Sequence, residues 1–101
     1  MDERTTGSGA PDSGSHGSPV AVVGLGYVGT SLAAVLAEGG YAVRGVDVDP
    51  ALVDRVARGE CPIEEAGVTG RFERYASEGR ITASTDASVV ADCPTVLITV
   101  G

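Results

Sequence analysis

The sequence predicts an α/β fold: a doubly wound parallel sheet of about four strands in the order 3-2-1-4, with helices on its faces. Three observations carry that expectation. Short apolar runs alternate with segments of helical period along the chain. The first run, "PVAVVG" (19–24), is apolar throughout rather than alternating, as befits a strand buried on both faces of a parallel sheet. Three glycines, Gly24, Gly26 and Gly29, then stand between that strand and the helix after it.

Each element has its own signal. The first helix is expected over Val28 to Glu38, with Val28, Leu32, Val35 and Leu36 at helical spacing, and Gly39-Gly40 ends it. "YAVRGVDV" reads as the second strand. Asp49 is expected to cap the next helix, with Pro50 at its first position. That helix runs to about Ala57 and stops at Gly59. "ECPIEEAGV" is a loop, and "TGRFERYASEGR" a short helix with Phe72, Tyr75 and Ala76 on one face. "RITASTD" is a weaker third strand, Asp86 to Ala91 a short helix, and "PTVLITV" the last strand.

Composition narrows the function classes. The chain has 101 residues, enough for one small domain. Residues 1–18, "MDERTTGSGAPDSGSHGS", have almost no apolar side chains and read as a disordered tail; 19–101 hold the domain. The tail lacks the apolar core of a signal peptide, so the expected location is cytoplasmic. The net charge of −7 argues against nucleic acid and anionic membrane as partners. Cys61 and Cys93 lack metal-ligand spacing and read as free thiols, so no metal site is expected here.

The glycines are the chemical signal. Gly24 lets the chain turn sharply out of the strand. Gly26, without a Cβ, lets a pyrophosphate approach the backbone. Gly29 lets the helix pack closely on the strand. The helix N-terminus then offers free N–H groups to phosphate, and no Lys is needed in a chain that has none. About twenty residues on, at the tip of the second strand, Asp47 can accept hydrogen bonds from the ribose hydroxyls of an adenosine. Its charge repels a 2′-phosphate, so NAD is favoured over NADP. Arg44 lies inside the strand and is not expected to reach the site. Asp49 is read as the helix cap before a second ribose ligand. Strand, glycines, helix, strand and acid in register make this a Rossmann-like dinucleotide-binding unit.

The chain resembles the UDP-glucose/GDP-mannose/UDP-N-acetylmannosamine dehydrogenases in their N-terminal NAD-binding segment. The resemblance rests on "GLGYVG" with Tyr27 and Val28 in place, on "GVDVD", on "RGECPIEEAGV", and on "GRITASTDASVVADCPTVLITV"; it covers residues 19 to 101. It implies the cofactor-binding set Gly24, Gly26, Tyr27, Val28, Gly29 and Asp47. It also implies NAD-coupled oxidation of a sugar C6 alcohol to the acid, for polysaccharide biosynthesis, through a cysteine thiolate in a Gly-rich motif downstream of this sequence. The chain alone is therefore expected to be inactive. A nucleotide sugar would bind only with the rest of the enzyme, and the last strand would leave an exposed edge prone to self-association.

Three positions depart from the family pattern. Leu52 stands where a basic residue is common, and Glu65-Ala66-Gly67 where Glu-Pro-Gly is usual. The sequence reaches Val100-Gly101 before the Val-Pro-Thr-Pro whose Thr helps hold NAD. Two other readings stay open: the opening of a different NAD(P) dehydrogenase, such as a 3-hydroxyacyl-CoA or prephenate dehydrogenase, and a small nucleotide-sensing regulatory domain.

Overall fold

The computed structural model describes residues 18–99, so the expected tail lies outside the described residues except for its last position. The elements are β1 (Val20–Val23), α1 (Tyr27–Glu38), β2 (Val43–Val46), α2 (Pro50–Ala57), α3 (Thr69–Ser77), β3 (Ile81–Ser84), a 3-10 turn (Ala87–Val90) and β4 (Thr95–Ile98). All strand pairs are parallel and the order is β3-β2-β1-β4, as the alternation of strand and helix predicts. β1 lies between the strand that follows it and the last one. The strand order therefore reverses beside β1, which opens a crevice at the C-terminal ends of the strands.

Register sorts the side chains onto two faces. Val43 is level with Val20 and Ile81, and Gly45 with Val22 and Ala83. Val22, Val43, Ile81 and Ala83 pack with Ala33 and Ala34 of α1, Val56 of α2, and Phe72 and Tyr75 of α3 in one core. The opposite face carries Ala21, Arg44 and Thr82 in one row and Val23, Val46 and Ser84 in the next, with Val96 and Ile98 of β4 in the same rows. Its cover among the described residues is the 3-10 turn, which lies against β2. Arg44 is used there: its Nη1 donates to the Val89 carbonyl at 2.9 Å and lies 3.7 Å from the Asp92 carboxylate.

The core-facing side of α1 is a correction. The buried positions are Gly29, Thr30, Ala33, Ala34 and Ala37. Val28 and Val35, two of the residues whose spacing predicts the helix, are 69% and 59% exposed. α1 lies over β1 and β2 and beside α3, close enough that only small side chains fit beneath it. Leu25, just before the helix, fills the space over Gly45: a Cβ on Gly45 would stand 2.7 Å from a Leu25 methyl.

The helix ends follow the sequence signals. α1 stops with Gly40 at φ 103°, its N–H on the Ala37 carbonyl at 3.0 Å and the Tyr41 N–H on the Leu36 carbonyl at 3.1 Å. That crossed pair satisfies carbonyls the helix leaves open, and Gly59 and Gly79 close α2 and α3 in the same way. Asp49 caps α2 by accepting from the Ala51 N–H at 3.0 Å, so its carboxylate serves the helix. Asp86 accepts from the Ser88 N–H at 2.9 Å, and this bond holds its carboxyl below the usual range. The helix expected from Asp86 to Ala91 is a 3-10 turn of four residues, too short to develop an α-helical ladder.

Candidate functional site

The glycine loop is fastened to both neighbouring strands. Gly24 leaves β1 at φ +100°, a conformation that L side chains rarely adopt, and its N–H still reaches the Val46 carbonyl at 2.8 Å. A Cβ there would also overlap the Thr99 carbonyl oxygen. Leu25 buries its side chain completely, which turns its N–H toward β2. That N–H donates to Oδ2 of Asp47 at 2.8 Å. Oδ1 of the same carboxylate accepts from the Asp49 N–H at 3.0 Å. Asp47 thus ties the loop to the tip of β2, while each oxygen keeps lone-pair capacity.

Gly26 is the N-cap of α1 in extended conformation, and no side chain caps the helix. No atom lies within 4 Å of where its Cβ would be. The first helical bond is Thr30 N–H to the Gly26 carbonyl at 2.9 Å, so the N–H groups of Tyr27, Val28 and Gly29 precede the ladder. Among the described residues these three N–H groups have no partner. The first turn carries no acidic side chain to occupy them. Thr30 is turned inward, its buried hydroxyl donating to the Leu25 carbonyl at 2.9 Å.

A cleft of about 390 Å³ opens between the ends of β1, β2 and β4, lined by Gly24, Gly26, Asp47, Val48 and Thr99 among others. Gly29 lies behind it. A Cβ on Gly29 would overlap the Gly24 carbonyl oxygen and stand 2.7 Å from the Thr99 hydroxyl. Tyr27 and Val28 have exposed side chains that line a separate, largely apolar hollow with Ser31, Leu32, Val35 and Glu65 rather than the cleft. The cleft therefore holds the N-cap of a helix, whose positive end carries the open N–H groups, together with a carboxylate. That pairing fits a ligand with an anionic group at one end and hydroxyls at the other, as a dinucleotide has.

Thr99 is absent from the sequence expectations. Its N–H extends the sheet to the Val23 carbonyl at 2.8 Å, and its hydroxyl donates to the Gly24 carbonyl at 2.7 Å. Only the parallel β1–β4 register brings it there, and no local spacing announces that register. Leu52, at a position where the family resemblance anticipates a basic residue, packs against the core. Neither cysteine lines the cleft: both are buried and free, and burial pushes the Cys61 thiol above its ordinary range. Among the described residues no cluster could hold a metal ion, and no helix is long and apolar enough to cross a membrane.

Known proteins share this architecture and this sequence. Residues 18–101 match the NAD-binding domain of the UDP-glucose/GDP-mannose dehydrogenase family. The UDP-glucose 6-dehydrogenase AglM of Haloferax volcanii is 41% identical over 73 residues, covering 72% of this chain and 17% of that protein. A UDP-glucose 6-dehydrogenase of Pseudomonas aeruginosa is 41% identical over 81 residues, covering 79% and 18%. Among solved structures, a UDP-glucose dehydrogenase from Pyrobaculum islandicum superposes with a TM-score of 0.77 at 37% identity, over 92% of this chain and 22% of that one. A GDP-mannose dehydrogenase from Pseudomonas aeruginosa, solved as a ternary complex, gives 0.75 at 35% identity, over 81% and 19%. The chain spans less than a fifth of the length of these curated relatives. The chain belongs to the UDP-glucose/GDP-mannose dehydrogenase family, of which it carries the NAD-binding domain.

Proposed function

We propose that this chain supplies the adenosine and pyrophosphate side of the NAD site in a cytoplasmic enzyme that oxidises the C6 alcohol of a UDP- or GDP-sugar to the acid. The observation that carries the proposal is that one cleft is lined by both Asp47 and Gly26, the N-cap of a helix whose first three N–H groups have no partner among the described residues. Those N–H groups, with the helix dipole behind them, would hold the pyrophosphate. Gly26 leaves the approach open, and Gly24 and Gly29 make the tight turn beneath it. The carboxylate of Asp47 would take the ribose hydroxyls on its remaining lone pairs and oppose a 2′-phosphate, which selects NAD over NADP.

NAD, once bound, accepts the hydride; the chain's own part is to bind and orient it. The groups that position the sugar and carry the covalent intermediate would come from sequence outside this chain. On its own it should oxidise no nucleotide sugar. The edge of β4, unpaired among the described residues and with Val96 and Ile98 exposed, supports self-association where nothing else covers it.

The test is a titration of the isotope-labelled chain with NAD and NADP, followed at the amides of Gly24, Gly26, Gly29 and Asp47. NAD should perturb these amides at lower concentration than NADP. In Asp47→Asn, which keeps an acceptor for the Leu25 N–H but loses the charge, that preference should narrow. Equal response to both cofactors in the unsubstituted chain would overturn the assignment of Asp47.

A further inference from the structure

We propose that Thr99 is a positioning residue for the pyrophosphate-binding loop: its hydroxyl locks the Gly24 peptide and so sets the direction of the N–H groups that follow. The inference rests on the reading of the cleft as a dinucleotide site and deepens it. Four observations converge. The Thr99 hydroxyl donates to the Gly24 carbonyl at 2.7 Å, with the Val23 carbonyl further off at 3.4 Å. Gly24 sits at φ +100°, where glycine has several conformations open to it and something must choose one. The missing Cβ of Gly29 leaves the space that both the Gly24 carbonyl and the Thr99 hydroxyl occupy. Finally, Thr99 is anchored independently, by its own N–H on the Val23 carbonyl at 2.8 Å.

The consequence is directional. Asp47 pulls the loop toward β2 through the Leu25 N–H, one residue after Gly24. Thr99 holds the Gly24 carbonyl from the β4 side. Between these two fixed points the chain has little freedom, and α1 starts from Gly26, which lines the cleft, with the Tyr27 and Val28 N–H groups next in the chain. Thr99 need not touch the cofactor to do this. Removing its hydroxyl frees the Gly24 carbonyl to rotate, and the phosphate-facing N–H groups lose their shared alignment. The adenosine end, held by Asp47, keeps its partner.

The experiment compares Thr99→Val and Thr99→Ser in the full chain, titrating adenosine, ADP and NAD by amide chemical shifts. Thr99→Val should weaken ADP and NAD by about three- to tenfold, the worth of one net hydrogen bond, and leave adenosine unchanged. Thr99→Ser should restore both. Equal weakening of adenosine and ADP would overturn the proposal, because it would mark a general loss of structure. So would Thr99→Val binding ADP as tightly as the unsubstituted chain. If Thr99→Val does not fold, Thr99→Ala gives the same comparison. Failure of the unsubstituted chain to bind ADP at all would instead remove the dinucleotide reading, and this proposal with it.

Discussion

On one side of the sheet, α1, α2 and α3 lie over Val22, Val43 and Ile81, and Phe72 at their centre is fully buried. On the other, Val96 and Ile98 of β4 are 39% and 68% exposed, and a four-residue 3-10 turn is the cover that the described residues provide. The difference separates two tasks. The helical side carries the packing that holds the chain folded. β4, which carries the exposed part of the open side, is joined to the rest of the sheet by one strand pair and by Thr99, and Thr99 contributes to the cleft. Side-chain losses should therefore weigh heavily on the first side and lightly on the second.

Phe72→Ala should break the helical side. It would leave a cavity where α3 meets the core, costing about 3–5 kcal/mol, a large part of what a domain of this size has. Urea denaturation should show a strongly lowered midpoint or no cooperative transition. Gly29→Ala comes next, because its methyl must push α1 away from the Gly24 carbonyl, at about 1–3 kcal/mol. A variant as stable as the parent would mean that α1 can lift off the sheet freely. Ile98→Lys probes the open side. Its effect on unfolding should stay within about 0.5 kcal/mol, while sedimentation should show less association than the parent. A large stability loss there would contradict the division between the faces.

The smallest effect is one of pH. The Tyr75 hydroxyl donates to Oε1 of Glu38 at 2.8 Å, and this bond to a carboxylate pushes its pKa up. The folded state therefore keeps that proton to higher pH than the unfolded chain does. The contribution is complete below the unfolded tyrosine value of about 10 and is lost as pH rises through the folded value. Cys61, also pushed up, acts in the same direction. The difference in urea midpoint between the parent and Tyr75→Phe should shrink as pH rises above about 10. A constant difference would mean that Tyr75 does not titrate with folding.

Much of the fold and half of the cleft were legible in the sequence. Strand order, helix ends and the Asp49 cap follow from local chemistry: continuous apolar runs, glycines past helix ends, and an acid before proline. The glycine turn was legible because a positive φ and a close approach admit few other residues. The buried side of α1 was not. Periodicity weighs large apolar residues, whereas this helix is held by Ala33, Ala34 and Ala37 against a close sheet, and Val28 and Val35 face outward. Thr99 was hidden for another reason. Its partner is far away in the chain, and one threonine after an apolar run has no local signature. The tie between Asp47 and the Leu25 N–H was equally out of reach, since backbone donors leave no mark on a sequence.

The two fastenings of the glycine loop differ in the order in which a ribosome delivers them. Leu25 and Asp47 are 22 positions apart, whereas Gly24 and Thr99 are 75 apart. At synthesis rates of about 5–20 residues per second, the β2-side tie can form on the order of 3–10 s before the β4-side one exists. During that interval β1 has a neighbour on one edge only, and its other edge is open to strands of other nascent chains. The Asp47 side of the cleft would thus be fastened first, and the Gly24 carbonyl would gain its second tie only when Thr99 arrives.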